Sequence, residues 1–129
     1  MTTMTVTLRT AFEAEHARRE AERRARAEAE RLRQEADHTR AIELHDAIAA
    51  DPDFLAQKKL SLELSRYTVV LEHADYRLRA YFEDGQINVT SADKRTATTQ
   101  TAAPRKQAYV ESVEQALDTF AQYLADETR

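Results

Sequence analysis

Histidine is the first residue type here whose chemistry is worth testing against spacing. The chain has four of them. His38 and His45 stand seven residues apart on one helical stretch, which puts them about 10 Å apart along its axis. That is too far to share a metal ion unless a third element comes between them. His16 and His73 have no partner at ligand spacing, and no HExxH sequence occurs. The chain contains no cysteine, so it offers no thiolate metal site, no disulfide and no cysteine nucleophile. These spacings predict surface or interface histidines, with no metal and no cofactor.

Carboxylates are abundant but sit beside arginine at ion-pair spacing or in turns, where they are solvated. General acid–base work needs a desolvated cleft instead. No serine or threonine sits in a nucleophile elbow. The single glycine, Gly85, rules out a GxGxxG or Walker-type loop, because both need several glycines to bring backbone close to phosphate. The expectation is a protein with no catalytic residues and no small-molecule substrate.

Arginine is the remaining candidate. All nine cations of the first fifty residues are arginines, but ten acids interleave with them, for a net charge of −1. Nucleic-acid binding calls for a one-sided basic surface, so that reading is the alternative here rather than the leading one. Arg77 and Arg79 share one face of a predicted strand, with Tyr81 next in line. Together with Lys94, Arg95, Arg105 and Lys106 they form a candidate partner-binding patch. Arginine and tyrosine on an open sheet face stack and pair with nucleic acid or with an acidic protein surface.

One short stretch, Gln115-Ala116-Leu117-Asp118-Thr119-Phe120, resembles the bacterial sliding-clamp-binding peptide, which carries Gln, then an aliphatic residue, then a terminal Phe or Leu. The likeness covers six residues, and Thr119 departs from it where a second large aliphatic is usual. That peptide binds extended, whereas helical periodicity already accounts for Leu117 and Phe120. The chain as a whole resembles no family.

The elements that must carry these residues fall into two unlike parts. The protein has 129 residues and a formal net charge of −4. Between Glu13 and Ala41 the only large apolar side chain is Leu32. Residues 11–50 are otherwise rich in Ala, Glu, Arg and Gln, strong helix formers, with no Gly or Pro. Glu15 and Arg19, Glu20 and Arg24, and Glu22 and Arg26 stand at i,i+4, each pair contributing roughly 0.2–0.5 kcal/mol. One uninterrupted helix results, about 60 Å long over 40 residues. Ala14, Ala17, Ala21, Ala25, Ala29, Leu32 and Ala36 form a stripe on it, and small residues let two helix backbones approach closely. The stripe predicts coiled-coil-like dimerisation through Ala14, Ala17, Ala21, Ala25 and Leu32, extended to Leu44 and Ile48; the alternative is a solvated, ion-paired single helix whose alanines reflect propensity alone. Ala41, Leu44 and Ile48 also line a face that docks on the C-terminal part.

Asp51-Pro52 ends that helix and starts a second, short one, with Asp51 as N-cap and Pro52 in the first helical position. It carries Phe54, Leu55 and Leu60 and extends to Leu64, unless the alternation of Leu60, Leu62 and Leu64 opens a strand instead; the assignment changes between Leu60 and Arg66. From Tyr67 the period is two. Val69 and Leu71, then Tyr76, Leu78, Ala80 and Phe82, then Ile87, Val89 and Ser91 describe a three-stranded antiparallel meander with one apolar face. Glu83-Asp84-Gly85-Gln86 forms a hairpin turn. Residues 92–107 contain no large apolar side chain and read as a mobile loop, with a weak strand near Thr96 to Thr101. Ser112 and Gln115 make a capping box, after which Val113, Leu117, Phe120 and Leu124 recur at helical spacing.

The predicted fold is α+β: a long N-terminal helix, a short second helix, a three-stranded meander and a C-terminal helix packed on the sheet. The predicted division is an arm over residues 1–50 and a small α+β head over 51–129. No apolar run approaches the roughly 18 residues of a membrane span, and the first ten residues lack the apolar stretch of a signal peptide. The expected function is a cytoplasmic, non-catalytic interaction protein. It pairs with itself through the long helix and with another protein through the sheet patch.

Overall fold

The computed structural model describes residues 7–95 and 104–128. Helix α1 runs over Leu8–Ala49. Thr7 starts it: its side-chain oxygen accepts the Thr10 amide at 3.1 Å, filling one of the first-turn donors that lack a helical partner. Helix α2 covers Pro52–Gln57, with the Asp51 carboxylate accepting the Phe54 amide. Five strands follow, β1 (Ser61–Ser65), β2 (Thr68–Glu72), β3 (Tyr76–Glu83), β4 (Gln86–Asp93) and β5 (Pro104–Val110), and then helix α3 (Val113–Glu127). The strands form one antiparallel sheet in the order β1-β2-β3-β4-β5.

The sheet therefore has five strands, not three. The central three are the predicted meander, and the two additions are its edges. β1 takes Leu62 and Leu64, following the strand reading of their alternation rather than a continued second helix. That helix stops at Lys58, because Lys59 turns into the left-handed region at φ 58°. The Leu60 amide then reaches back to the Leu55 carbonyl and the Lys59 amide to that of Ala56. This is a Schellman cap built on lysine in the position glycine usually fills. β5 takes Pro104 to Gln107 out of the predicted loop, and β4 takes Ala92 and Asp93. Edge strands need only one half-apolar face. β5 turns Lys106, Ala108 and Val110 inward, so its alternation carries little hydrophobic signal. The weak strand predicted near Thr96 to Thr101 lies outside the described residues.

The pleat sorts the side chains by face. Val69, Leu71, Tyr76, Leu78, Ala80, Phe82, Ile87 and Val89 are buried on the inner face. Helix α3 packs there against β3, β4 and β5. The predicted stripe of α3 is only partly the buried one. Ala116, Thr119, Phe120 and Tyr123 are buried, while Val113, Leu117 and Leu124 are half-buried. Ala116 lets the helix come close, and Thr119 is buried because its hydroxyl donates to the Gln115 carbonyl at 2.8 Å. Ser112 caps this helix as predicted. Gln115 accepts the amide of Glu111, one residue before the usual capping-box position.

The chain divides into two compact units, one running through Arg33 and the other from Gln34 to Arg129. The second unit thus takes in the part of α1 from Gln34 onward. Ala41 and Leu44 are fully buried in its core. Polar residues of the same helix hold three sheet and helix ends. Asp37 accepts the amides of Asp84 and Gly85 at 2.8 and 3.0 Å. His38 Nδ1 bonds the Arg66 carbonyl at 2.7 Å. Arg40 donates to the carbonyls of Gly85 and Glu111. Asp84 and Gly85 both have positive φ, as a type I′ hairpin turn requires.

Candidate functional site

The residues predicted for dimerisation separate between the two units. In the unit through Arg33, Ala14, Ala17, Ala21, Ala25 and Leu32 are all exposed, Leu32 by 52%. Around them runs a ladder of ion pairs: Arg18 with Glu15 and Glu22, Arg19 with Glu15, Arg23 with Glu20, Arg26 with Glu22, Arg31 with Glu28 and Arg33 with Glu30. Hydrogen bonds from Arg18 and Arg19 hold the Glu15 carboxyl below the ordinary range, and Arg31 does the same for Glu28. Leu44 and Ile48 belong elsewhere. Leu44 is enclosed by the α+β core, and Ile48 is half-buried against it.

The predicted partner patch is likewise divided. Arg77, Arg79 and Tyr81 do share the outer face of β3, where exposed and buried residues alternate along the whole strand. Arg77 grips Glu72 on β2 through two bonds of 2.7 Å. This contact holds the Glu72 carboxyl below its ordinary range. Lys94 donates to the His73 carbonyl and lies 3.5 Å from the same Glu72. Arg95 pairs with Asp93 and with Glu127, whose side chain is nearly buried. Lys106 points to the inner face, over the ring of Tyr123 and onto Asp126 of α3. Arg105 is placed in β5 by its backbone, and its side chain lies outside the described part. Of the six whose side chains are described, only Arg79 has no carboxylate partner among the described residues.

Spacing within a strand found Arg77, Arg79 and Tyr81, but not what lies beside them. In the register Asn88 stands between Tyr81 on β3 and Tyr109 on β5, so these three cross the outer face in one row. They border an open depression of about 790 Å³ at the Asp84–Gly85 turn, with Glu83 and Glu111 at its rim. Tyr81 and Tyr109 are 39% and 59% exposed. Interaction with the Glu83 carboxylate raises the pKa of the Tyr81 phenol. Only the strand register, which needs β5, brings Tyr109 to this place.

The inner side has a second concavity, an apolar groove of about 520 Å³ where Ile48, Phe54, Leu55, Leu117 and Leu124 meet. The stretch resembling a clamp-binding peptide lies in α3. There Gln115 is engaged at the cap and Phe120 is buried, so it is not presented as an extended segment. The histidines have local partners. His16 stacks on Phe12, His45 approaches Asp46, and His73 accepts the Asp75 amide and stacks on Tyr76. Among the described residues no three His, Cys, Asp or Glu side chains come together to hold a metal ion. No helix among them is long and apolar enough to cross a membrane.

Comparison with protein-family models, with curated proteins and with solved structures finds no match to this chain.

Proposed function

We propose that this protein is a non-catalytic interaction protein. It pairs with a second copy through the helical residues before Arg33 and takes a partner protein on the outer face of its sheet. One observation carries this reading: every side chain of α1 from Leu8 to Ala36 is exposed except the half-buried Glu20. A helix held by local ion pairs and propensity alone is marginal, and most helices draw their stability from burying one face. The alanine stripe with Leu32 is the face suited to a close partner helix. A cytoplasmic working place belongs to the same proposal, since a chain without cysteine makes no demand on an oxidising compartment.

The alternative, nucleic-acid binding, gains less support. Arg18, Arg19, Arg23, Arg26, Arg31 and Arg33 of α1 are paired with glutamates, and the sheet patch is divided between two faces. The test of the leading reading is the mass of the full chain by light scattering across a range of concentrations. A dimer is expected, and the double substitution Ala21→Glu with Ala25→Glu is expected to give a monomer with reduced helix content by circular dichroism and an unchanged cooperative transition in urea. A full chain that stays monomeric at its highest soluble concentration would defeat the reading.

A further inference from the structure

The geometry points to a receptor for one arginine side chain of a partner polypeptide, set between Tyr81 and Tyr109 over Asn88. The inference rests on the outer face being the partner-facing surface, and it names the chemistry that face selects. Among the described residues Asn88 Oδ1 is buried and has no hydrogen-bond donor. A buried acceptor without a donor is a rare and costly arrangement, and it identifies what the site takes: a hydrogen-bond donor. The depression in front of it narrows the choice. Its rim carries the carboxylates of Glu83 and Glu111, which repel an anion and favour a cation. The nearby guanidinium of Arg40 is already engaged with the carbonyls of Gly85 and Glu111.

The walls narrow it further. Tyr81 and Tyr109 sit on strands either side of β4, so their backbones are two strand spacings, roughly 10 Å, apart. Both tyrosines line the depression, so a flat group seated there has aromatic neighbours from two strands. The Gln107 amide holds Tyr109 by donating to its hydroxyl at 2.7 Å. Guanidinium is planar, permanently charged and rich in donors, and it stacks on aromatic faces while pairing with carboxylates. It meets all three features at once: rings at its faces, Asn88 Oδ1 at one edge and a carboxylate at another. An ammonium meets the charge but not the plane.

The test is a nuclear magnetic resonance titration of the full, isotope-labelled chain with the capped peptide Gly-Gly-Arg-Gly-Gly. Matched peptides carrying lysine or citrulline are titrated in parallel, with free arginine as the small-molecule arm. The arginine peptide is expected to shift the Asn88 side-chain amide and the Tyr81 and Tyr109 signals. The citrulline peptide, nearly the same shape without the charge, is expected to bind at least about tenfold more weakly. Asn88→Leu is expected to lose about tenfold while Asn88→Asp keeps or gains affinity, and a matching amide spectrum for each variant verifies folding. Equal binding of the citrulline peptide, or no shift at these three residues, overturns the proposal. Free arginine binding as tightly as the peptide overturns the polypeptide source. Shifts confined to Arg77 and Arg79 overturn the arginine receptor while leaving the outer face as a contact surface.

Discussion

Asp37 shows how much one side chain holds in this molecule. It is 5% exposed, and its two oxygens accept the amides of the two residues that turn β3 into β4. Asp37→Ala leaves both amides without an acceptor and is expected to destabilise the fold by about 3 kcal/mol, read from the urea midpoint. Asp37→Asn keeps one acceptor oxygen and should cost less. Protonation acts at the same scale. Glu72 has a lowered pKa because Arg77 hydrogen-bonds its charged form. Its contribution is therefore present above the ordinary carboxylate value and lost as pH falls through the lowered one. The stability difference between the natural protein and Glu72→Gln should be visible at neutral pH and vanish in strong acid. Tyr76 and Tyr123 go the other way. Burial disfavours their phenolates and raises both pKa values above the usual 10.0. Their contribution is complete below that ordinary value and lost as pH rises through the raised ones. An alkaline melting series should show the loss, and Tyr76→Phe with Tyr123→Phe should flatten it.

At the level of elements, the two ends of the short helix α2 were unequally legible. Asp51-Pro52 announced its start through cap and ring chemistry. Its end was hidden, because the left-handed position that usually displays glycine holds Lys59. A Cβ in that region carries strain, so Lys59→Gly should raise stability by about 0.5–1 kcal/mol in urea unfolding. Ser112 gives the opposite case. Its oxygen fills the Gln115 amide at the start of α3, and Ser112→Ala should cost about 1 kcal/mol, with helix content at low denaturant largely kept. The central strands were readable because each buries one whole face. β5 was not, because its inward positions include Lys106, whose stem lies over Tyr123 while its charge reaches Asp126. The row Tyr81, Asn88, Tyr109 depends on β5, so the candidate site was hidden with it.

For the whole molecule, the telling boundary is Arg33–Gln34. Deleting residues 1–33 removes no residue of the buried core; among the described residues it takes away exposed side chains, the half-buried Glu20 and local ion pairs. The remaining chain should keep its urea midpoint and be monomeric by light scattering. Extending the deletion through Leu44 removes Asp37, Arg40, Ala41 and Leu44 together, and the shortened chain should show no cooperative unfolding transition. Leu44→Ala in the full chain should cost about 2–5 kcal/mol, the range for a large buried aliphatic residue. Charge distribution decides the remaining comparison. With arginines and glutamates paired along α1, random duplex should not be retained in a gel shift even at low salt. Retention that falls steeply with salt would instead favour nucleic acid as the partner.

Everything readable in the amino-acid sequence alone depends on near neighbours along the chain. Helical ion-pair spacing, the Asp51-Pro52 break, the Asp84–Gly85 turn, the period-two strands and the Ser112 cap all act within a few residues, so composition and spacing specify them. The docking face of Ala41, Leu44 and Ile48 was readable too, from its helical spacing. Tertiary structure alone decided that Asp37, His38 and Arg40 of the same helix hold distant turn ends, that Lys106 faces α3 while Arg79 faces outward, and that Tyr109 comes beside Asn88. Each of these depends on which distant segment fills a given face, and strand register and core packing set that only once the whole chain has come together.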